Sequence, residues 1–166
     1  MAFSLGFFVY VTVLHPGVNL KEIPDQPAAG PGQQLAGEAA PAAAAVDMTK
    51  VEKPWVEEAG VTAHGAKVYA NNCAVCHGAT GAGDGAAGAA LNPKPRNLIE
   101  GKWKVGGDSI SLFKVLQNGI PGGSMASFAH VPAADRWALV QYIRSITQNK
   151  VKDDPAKLET FAKSAK

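Results

Sequence analysis

Only two cysteines occur in the 166 residues. They stand three apart, as Cys73 and Cys76 in the pentad CAVCH, with His77 directly after. One helical turn puts both thiols on the same edge, with the His77 imidazole beside them. A C-x-x-C-H run is the attachment signature of a c-type haem. Two thiols add to the two vinyl groups of one porphyrin, and the imidazole that follows lies under the iron. Three other readings compete. A thioredoxin-like dithiol wants a βαβ setting, and no alternating strand pattern of useful length occurs. Zinc wants four ligands, and no second ligand pair accompanies these three residues. A plain disulfide leaves His77 without a role. One covalently bound haem c, with His77 on its iron, accounts for the pentad best.

The elements that must position these residues read as helices. Residues 61–72 run into CAVCH with no breaker except Gly65, and Thr62 stands where a cap is useful. Residues 109–117 (SISLFKVLQ) place Ile110, Phe113, Val115 and Leu116 at helical intervals. Asp108 or Ser109 serves as cap and Gly119 as stop. Residues 132–148 form the clearest helix, with Pro132 in its first turn and Trp137, Val140 and Ile143 on one face. Loops rich in glycine and proline lie between.

With the pentad placed, residues 61–148 resemble a class I monohaem cytochrome c, of the small bacterial type often fused or docked to respiratory complexes. Gly65 and Tyr69 are similar to that family's glycine–aromatic pair before the haem motif. Leu139 and Tyr142 are similar to the partner pair on its last helix. The resemblance implies an all-α cytochrome c fold, three to four helices around one covalently bound haem. It also implies a sixth ligand. Of the three methionines, Met125 lies in NGIPGGSMASF, 48 residues after His77, like the family's axial-methionine loop; His130 is the rival ligand. LNPKPRNL resembles the loop in which a proline carbonyl accepts from the axial histidine's second nitrogen. Pro95 is the first choice for that carbonyl and Pro93 the second. Arg96 and Trp103 are then in reach of the haem propionates.

Composition and charge frame this domain. Ala, Gly and Pro make up 58 of the 166 residues, so the 46% hydrophobic content overstates the material for a core. A net charge of +2 argues against a general nucleic-acid binder. That average hides −4 over residues 21–60, +5 over 61–150 and +1 over 151–166. Residues 1–20 carry no Asp, Glu, Lys or Arg, and residues 1–14 (MAFSLGFFVYVTVL) are nearly all apolar. They are expected to be a retained membrane anchor; a buried helix or a signal peptide is the alternative. Residues 21–60 are expected to be a Pro/Ala/Gly-rich linker, 61–150 the haem domain, and 151–166 a charged tail that is either a short helix from Pro155 clasping another subunit or a frayed end.

A haem with both axial positions filled has no site for substrate, so the expected function is one-electron transfer and not enzymatic catalysis. The chain reads as a membrane-anchored cytochrome c, or as the cytochrome c subunit of a membrane electron-transport complex. The resemblance places its haem domain on the periplasmic side of a bacterial inner membrane. Lys94, Arg96, Lys102, Lys104 and Lys114 fall between the two ligand loops, where they would steer a redox partner with an acidic docking surface. The alternative is a haem-based redox or small-ligand sensor in which Met125 dissociates.

Overall fold

A computed structural model describes residues 46–165. Among these, all regular structure is helical. The α-helices are α1 (Ala59–Asn72), α2 (Ala74–His77), α3 (Ser109–Asn118), α4 (Ala133–Ile146) and α5 (Pro155–Ser164). Short 3₁₀ turns occur at Met48–Lys50 and Ala86–Gly88. The expected anchor, residues 1–20, and most of the expected linker lie outside the described residues. No helix among the described residues is long and apolar enough to cross a membrane.

Helices α1 and α4 cross at Gly65. A Cβ there would lie 2.0 Å from the Ala138 carbonyl oxygen and 3.1 Å from Tyr142 Cβ. Glycine thus lets the two backbones touch, which offsets its helix cost of about 1 kcal/mol. Just beyond the crossing, the rings of Tyr69 and Tyr142 lean together at 5.0 Å. Helix α3 packs beside α4 through Phe113, whose ring stacks on Trp137 at 4.3 Å.

Helix starts differ instructively from the pattern in the sequence. Helix α1 begins before Thr62, and Thr62 does not cap it. Gln141 on α4 reaches across instead. Its Oε1 accepts from the Glu58 backbone N–H at 3.0 Å and from Thr62 Oγ1 at 3.1 Å. Its Nε2 donates to the carbonyls of Pro54 and Val56 at 2.7 and 2.6 Å. One buried amide therefore satisfies four groups at a helix start that has no local cap. Helix α3 follows the local rule, with Asp108 Oδ1 accepting from the Ser111 N–H at 3.0 Å. It ends at Gly119, whose φ of +70° suits glycine.

The packed body extends past both expected edges, 61 and 150. Trp55, assigned to the linker, is 9% exposed and faces Trp137 at 6.3 Å. The tail is helix α5, capped by Asp154 and started by Pro155. Its Phe161 meets the edges of Phe113 and Trp137, and Ala162 is fully buried. The tail clasps its own domain. Trp55 Nε1 donates to Glu159 Oε2 of α5 at 2.9 Å, joining the two ends of the body.

Candidate functional site

The end of α1, the short α2, α3 and the loops on either side of α3 line a cavity of about 300 Å³. All seven residues singled out in the sequence line it. Cys73, Cys76 and His77 come from the α1–α2 junction, Pro95, Arg96 and Trp103 from the loop before α3, and Met125 from the loop after it. The remaining wall is largely apolar, with Leu98, Leu112, Leu116 and Ile143 among its side chains. His130 does not line the cavity; its ring lies beside Phe128 at 5.7 Å and is exposed. His64 is engaged elsewhere, with Nε2 2.8 Å from Asp135 Oδ1 between α1 and α4.

Both thiols are free. The turn at Cys73 is tight because the N–H groups of Cys76 and His77 both reach the Cys73 carbonyl, at 3.1 and 2.9 Å. Burial pushes the Cys73 thiol up to about 11, with the neighbouring Cys76 adding to the effect. His77 Nδ1 lies 3.1 Å from the Arg96 carbonyl oxygen. A carbonyl only accepts, so Nδ1 is the donor and Nε2 holds the lone pair in the neutral ring. Burial favours that neutral form by lowering the His77 pKa, while the bond to Arg96 opposes it. A metal-binding imidazole is held in this way.

The acceptor is a correction. Pro95 was expected to offer the carbonyl and Pro93 was second, but the next residue, Arg96, supplies it. Pro95 instead lies over the small-residue loop; a Cβ on Gly88 would come within 2.6 Å of its Cγ. Any residue has a carbonyl, so side-chain type does not reveal which register puts it beside a histidine 19 residues earlier.

Trp103 and Arg96 share the same wall. Arg96 Nη1 donates to the Lys102 carbonyl, which ties the guanidinium to the turn before Trp103. The Trp103 indole N–H is buried and has no hydrogen-bond partner among the described residues. A buried donor without an acceptor costs about 1–3 kcal/mol. A porphyrin propionate is an acceptor of the kind this N–H lacks. The donor set as a whole fits a haem c: two thiols, one neutral imidazole, one thioether, and an unpartnered N–H beside a guanidinium, around an apolar hollow. Tyr69 also lines this hollow, and its hydroxyl donates to the Gly78 carbonyl at 2.8 Å. Burial raises the Tyr69 pKa, so the phenol stays protonated. Its helical spacing marked it as a packing residue, with no signal of a place on the cavity wall.

Comparison with known proteins agrees with this geometry. The profile of the cytochrome c family matches residues 62–147. The cbb3-type cytochrome c oxidase subunit CcoP of Azospirillum brasilense is 31% identical over 93 residues, which is 56% of this chain and 31% of that protein. The corresponding subunit FixP of Azorhizobium caulinodans is 32% identical over 82 residues, 49% of this chain and 26% of that protein. The chain thus spans less than a third of these curated relatives. Among solved structures, a chain of the Kuenenia stuttgartiensis reducing HAO-like protein complex aligns with a TM-score of 0.49 and 25% identity, over 55% of this chain and 47% of that one. The family profile covers more than half of the chain, the pentad included, so the chain belongs to the cytochrome c family, the haem c electron carriers.

Proposed function

We propose that this chain is a one-electron carrier of a membrane electron-transport system, with His77 and Met125 as the axial pair of its haem c. The carrying observation is that seven residues from three separate segments line one cavity, Met125 among them. A haem c bound there supplies a one-electron iron couple. The chain's own residues favour a neutral His77 by burying it, orient its ring through the Arg96 carbonyl, and present a thioether and an apolar wall. A thioether ligand raises the potential relative to a second imidazole. With both positions filled the domain works as a carrier and not as a catalyst. Curated relatives named as subunits of cbb3-type oxidases support a place in a membrane complex. Residues 1–20, nearly all apolar over 1–14, supply the anchor, and the haem domain faces the periplasm.

The basic surface contracts to three residues at the cavity. Lys94, Arg96 and Lys104 line it. Lys102 pairs with Glu100 at 2.9 Å, and Lys114 lies 5.3 Å over the Phe161 ring. The three cavity cations are the docking residues for a partner with an acidic surface.

Carbon monoxide binding tests the axial assignment. The reduced protein is expected not to bind it, whereas Met125→Ala is expected to bind it readily and to lower the midpoint potential. Ready binding by the unaltered protein would overturn the assignment and favour the sensor reading.

A further inference from the structure

The loop that holds Trp103 is fastened along its length by residues at and beyond the end of α4. At its start, Thr147 Oγ1 donates to the Leu98 carbonyl at 2.8 Å and the Gln148 N–H to that of Ile99 at 2.8 Å. Asn149 Nδ2 donates to the Glu100 carbonyl at 2.7 Å. At its end, Arg144 Nη1 donates to the Gly107 carbonyl at 3.2 Å and to that of Val151 at 3.0 Å. Arg144 Nη2 pairs with Asp153 Oδ2 at 3.2 Å, and both side chains are about four-fifths shielded from solvent, at 21% and 20% exposure. Asp153 is anchored in turn. Its Oδ1 accepts from the Ser109 N–H and its Oδ2 from the Ser109 hydroxyl, both at 2.7 Å.

Gly107 is the link to the cavity. A Cβ there would lie 1.9 Å from Trp103 Cδ1 and 2.1 Å from Nε1. The Gly107 backbone therefore rests on the edge of the indole that carries the N–H. Where that backbone sits determines where the unpartnered N–H points. Arg144 sets the position of its carbonyl, and Asp153 sets the direction of Arg144. Nη1 on two backbone carbonyls and Nη2 in a single, largely shielded contact with Asp153 Oδ2 hold the planar guanidinium from both sides of its fork. Val151 and Asp153 lie beyond residue 147, the last one matched by the family profile.

We propose that the Arg144–Asp153 pair is a positioning device for Trp103, aiming its indole N–H at a haem propionate and thereby tuning the potential of the haem. This inference rests on the haem c reading. An N–H donated to a propionate offsets part of that carboxylate's negative charge. Loss of the bond favours the oxidised iron and lowers the potential.

Equilibrium redox titration of the haem-loaded, full-length protein tests the proposal, in a double-mutant cycle of Asp153→Asn with Trp103→Phe. Asp153→Asn is expected to lower the midpoint potential in the same direction as Trp103→Phe. The double variant is expected to shift no further than Trp103→Phe alone. Two outcomes would overturn the proposal: a potential that ignores Asp153→Asn while the melting temperature falls, or two shifts that add. If Asp153→Asn does not accumulate folded, Arg144→Lys is titrated in the same cycle and read in the same way. It keeps the charge but not the fork that spans Gly107 and Asp153. A chain that acquires no covalent haem fails the carrier reading before any titration. A haem-loaded chain with an indifferent potential fails this inference alone.

Discussion

At the scale of single residues, charge and hydrogen bonding at Glu159 show how a surface group carries a pH dependence. The Trp55 indole N–H, then Lys163 and Lys53, pull its carboxyl down to about 2. In an unfolded chain the ordinary value is about 4.3. A depressed folded value stabilises above the unfolded one, and that contribution fades as pH falls toward about 2. The melting temperature of the unaltered protein is expected to exceed that of Glu159→Gln at neutral pH, and the gap is expected to close between about pH 5 and 2. A gap that stays constant with pH would show that the charge is not what stabilises. The residues proposed to carry the chemistry stood out in the sequence because their types are rare and their spacing is chemical. Cys73, Cys76, His77 and Met125 all reach one cavity. The Arg96 carbonyl was not legible, since a backbone group leaves no mark in the side chains. Nor was the Arg144–Asp153 pair, since Arg144 sits on the last helix of the haem domain and Asp153 in the charged tail until the fold brings them together beside Gly107.

At the scale of elements, the central contact is the α1–α4 crossing. Gly65→Ala ordinarily favours a helix by about 1 kcal/mol. Here the new Cβ meets a backbone oxygen at 2.0 Å, and that oxygen belongs to a helix and cannot swing aside. Overpacking of this kind costs about 1–3 kcal/mol. Gly65→Ala is therefore expected to lower the melting temperature, by roughly 4–8 °C for each kcal/mol of net loss. A rise would mean that the crossing is loose. The three main helices of the haem domain were visible in the sequence from their periodicity, stops and caps. The start of α1 was displaced because its cap, Gln141, lies 83 residues away from Glu58, beyond any local pattern. Helix α5 was only half visible. Pro155 marked its start, but nothing local told that Phe161 packs on Phe113 and Trp137.

At the scale of the whole molecule, the domain is larger than the part that resembles its family. Trp55 before it and α5 after it close over the Trp137 face. Trp55→Ala is expected to cost about 3–5 kcal/mol, as for other buried tryptophans, while leaving the haem spectrum unchanged. A change in both would place Trp55 in the cofactor's surroundings. Composition hid this edge, because one tryptophan after a long Pro/Ala/Gly stretch reads as part of the spacer. Charge acts at the same scale. Lys94, Arg96 and Lys104 at the cavity are expected to give electron-transfer rates that fall as salt rises, with Lys94→Glu and Lys104→Glu weakening that dependence. Rates indifferent to salt would remove the docking role. The central claim is that Cys73 and Cys76 hold a haem covalently with His77 on its iron. It is tested most directly by denaturing the purified chain, extracting it with acidified organic solvent, and recording spectrum and mass. A haem spectrum that stays with the polypeptide and a mass raised by one haem are expected, both lost in Cys73→Ala/Cys76→Ala. A bare polypeptide mass, or a haem that extracts freely, would contradict it.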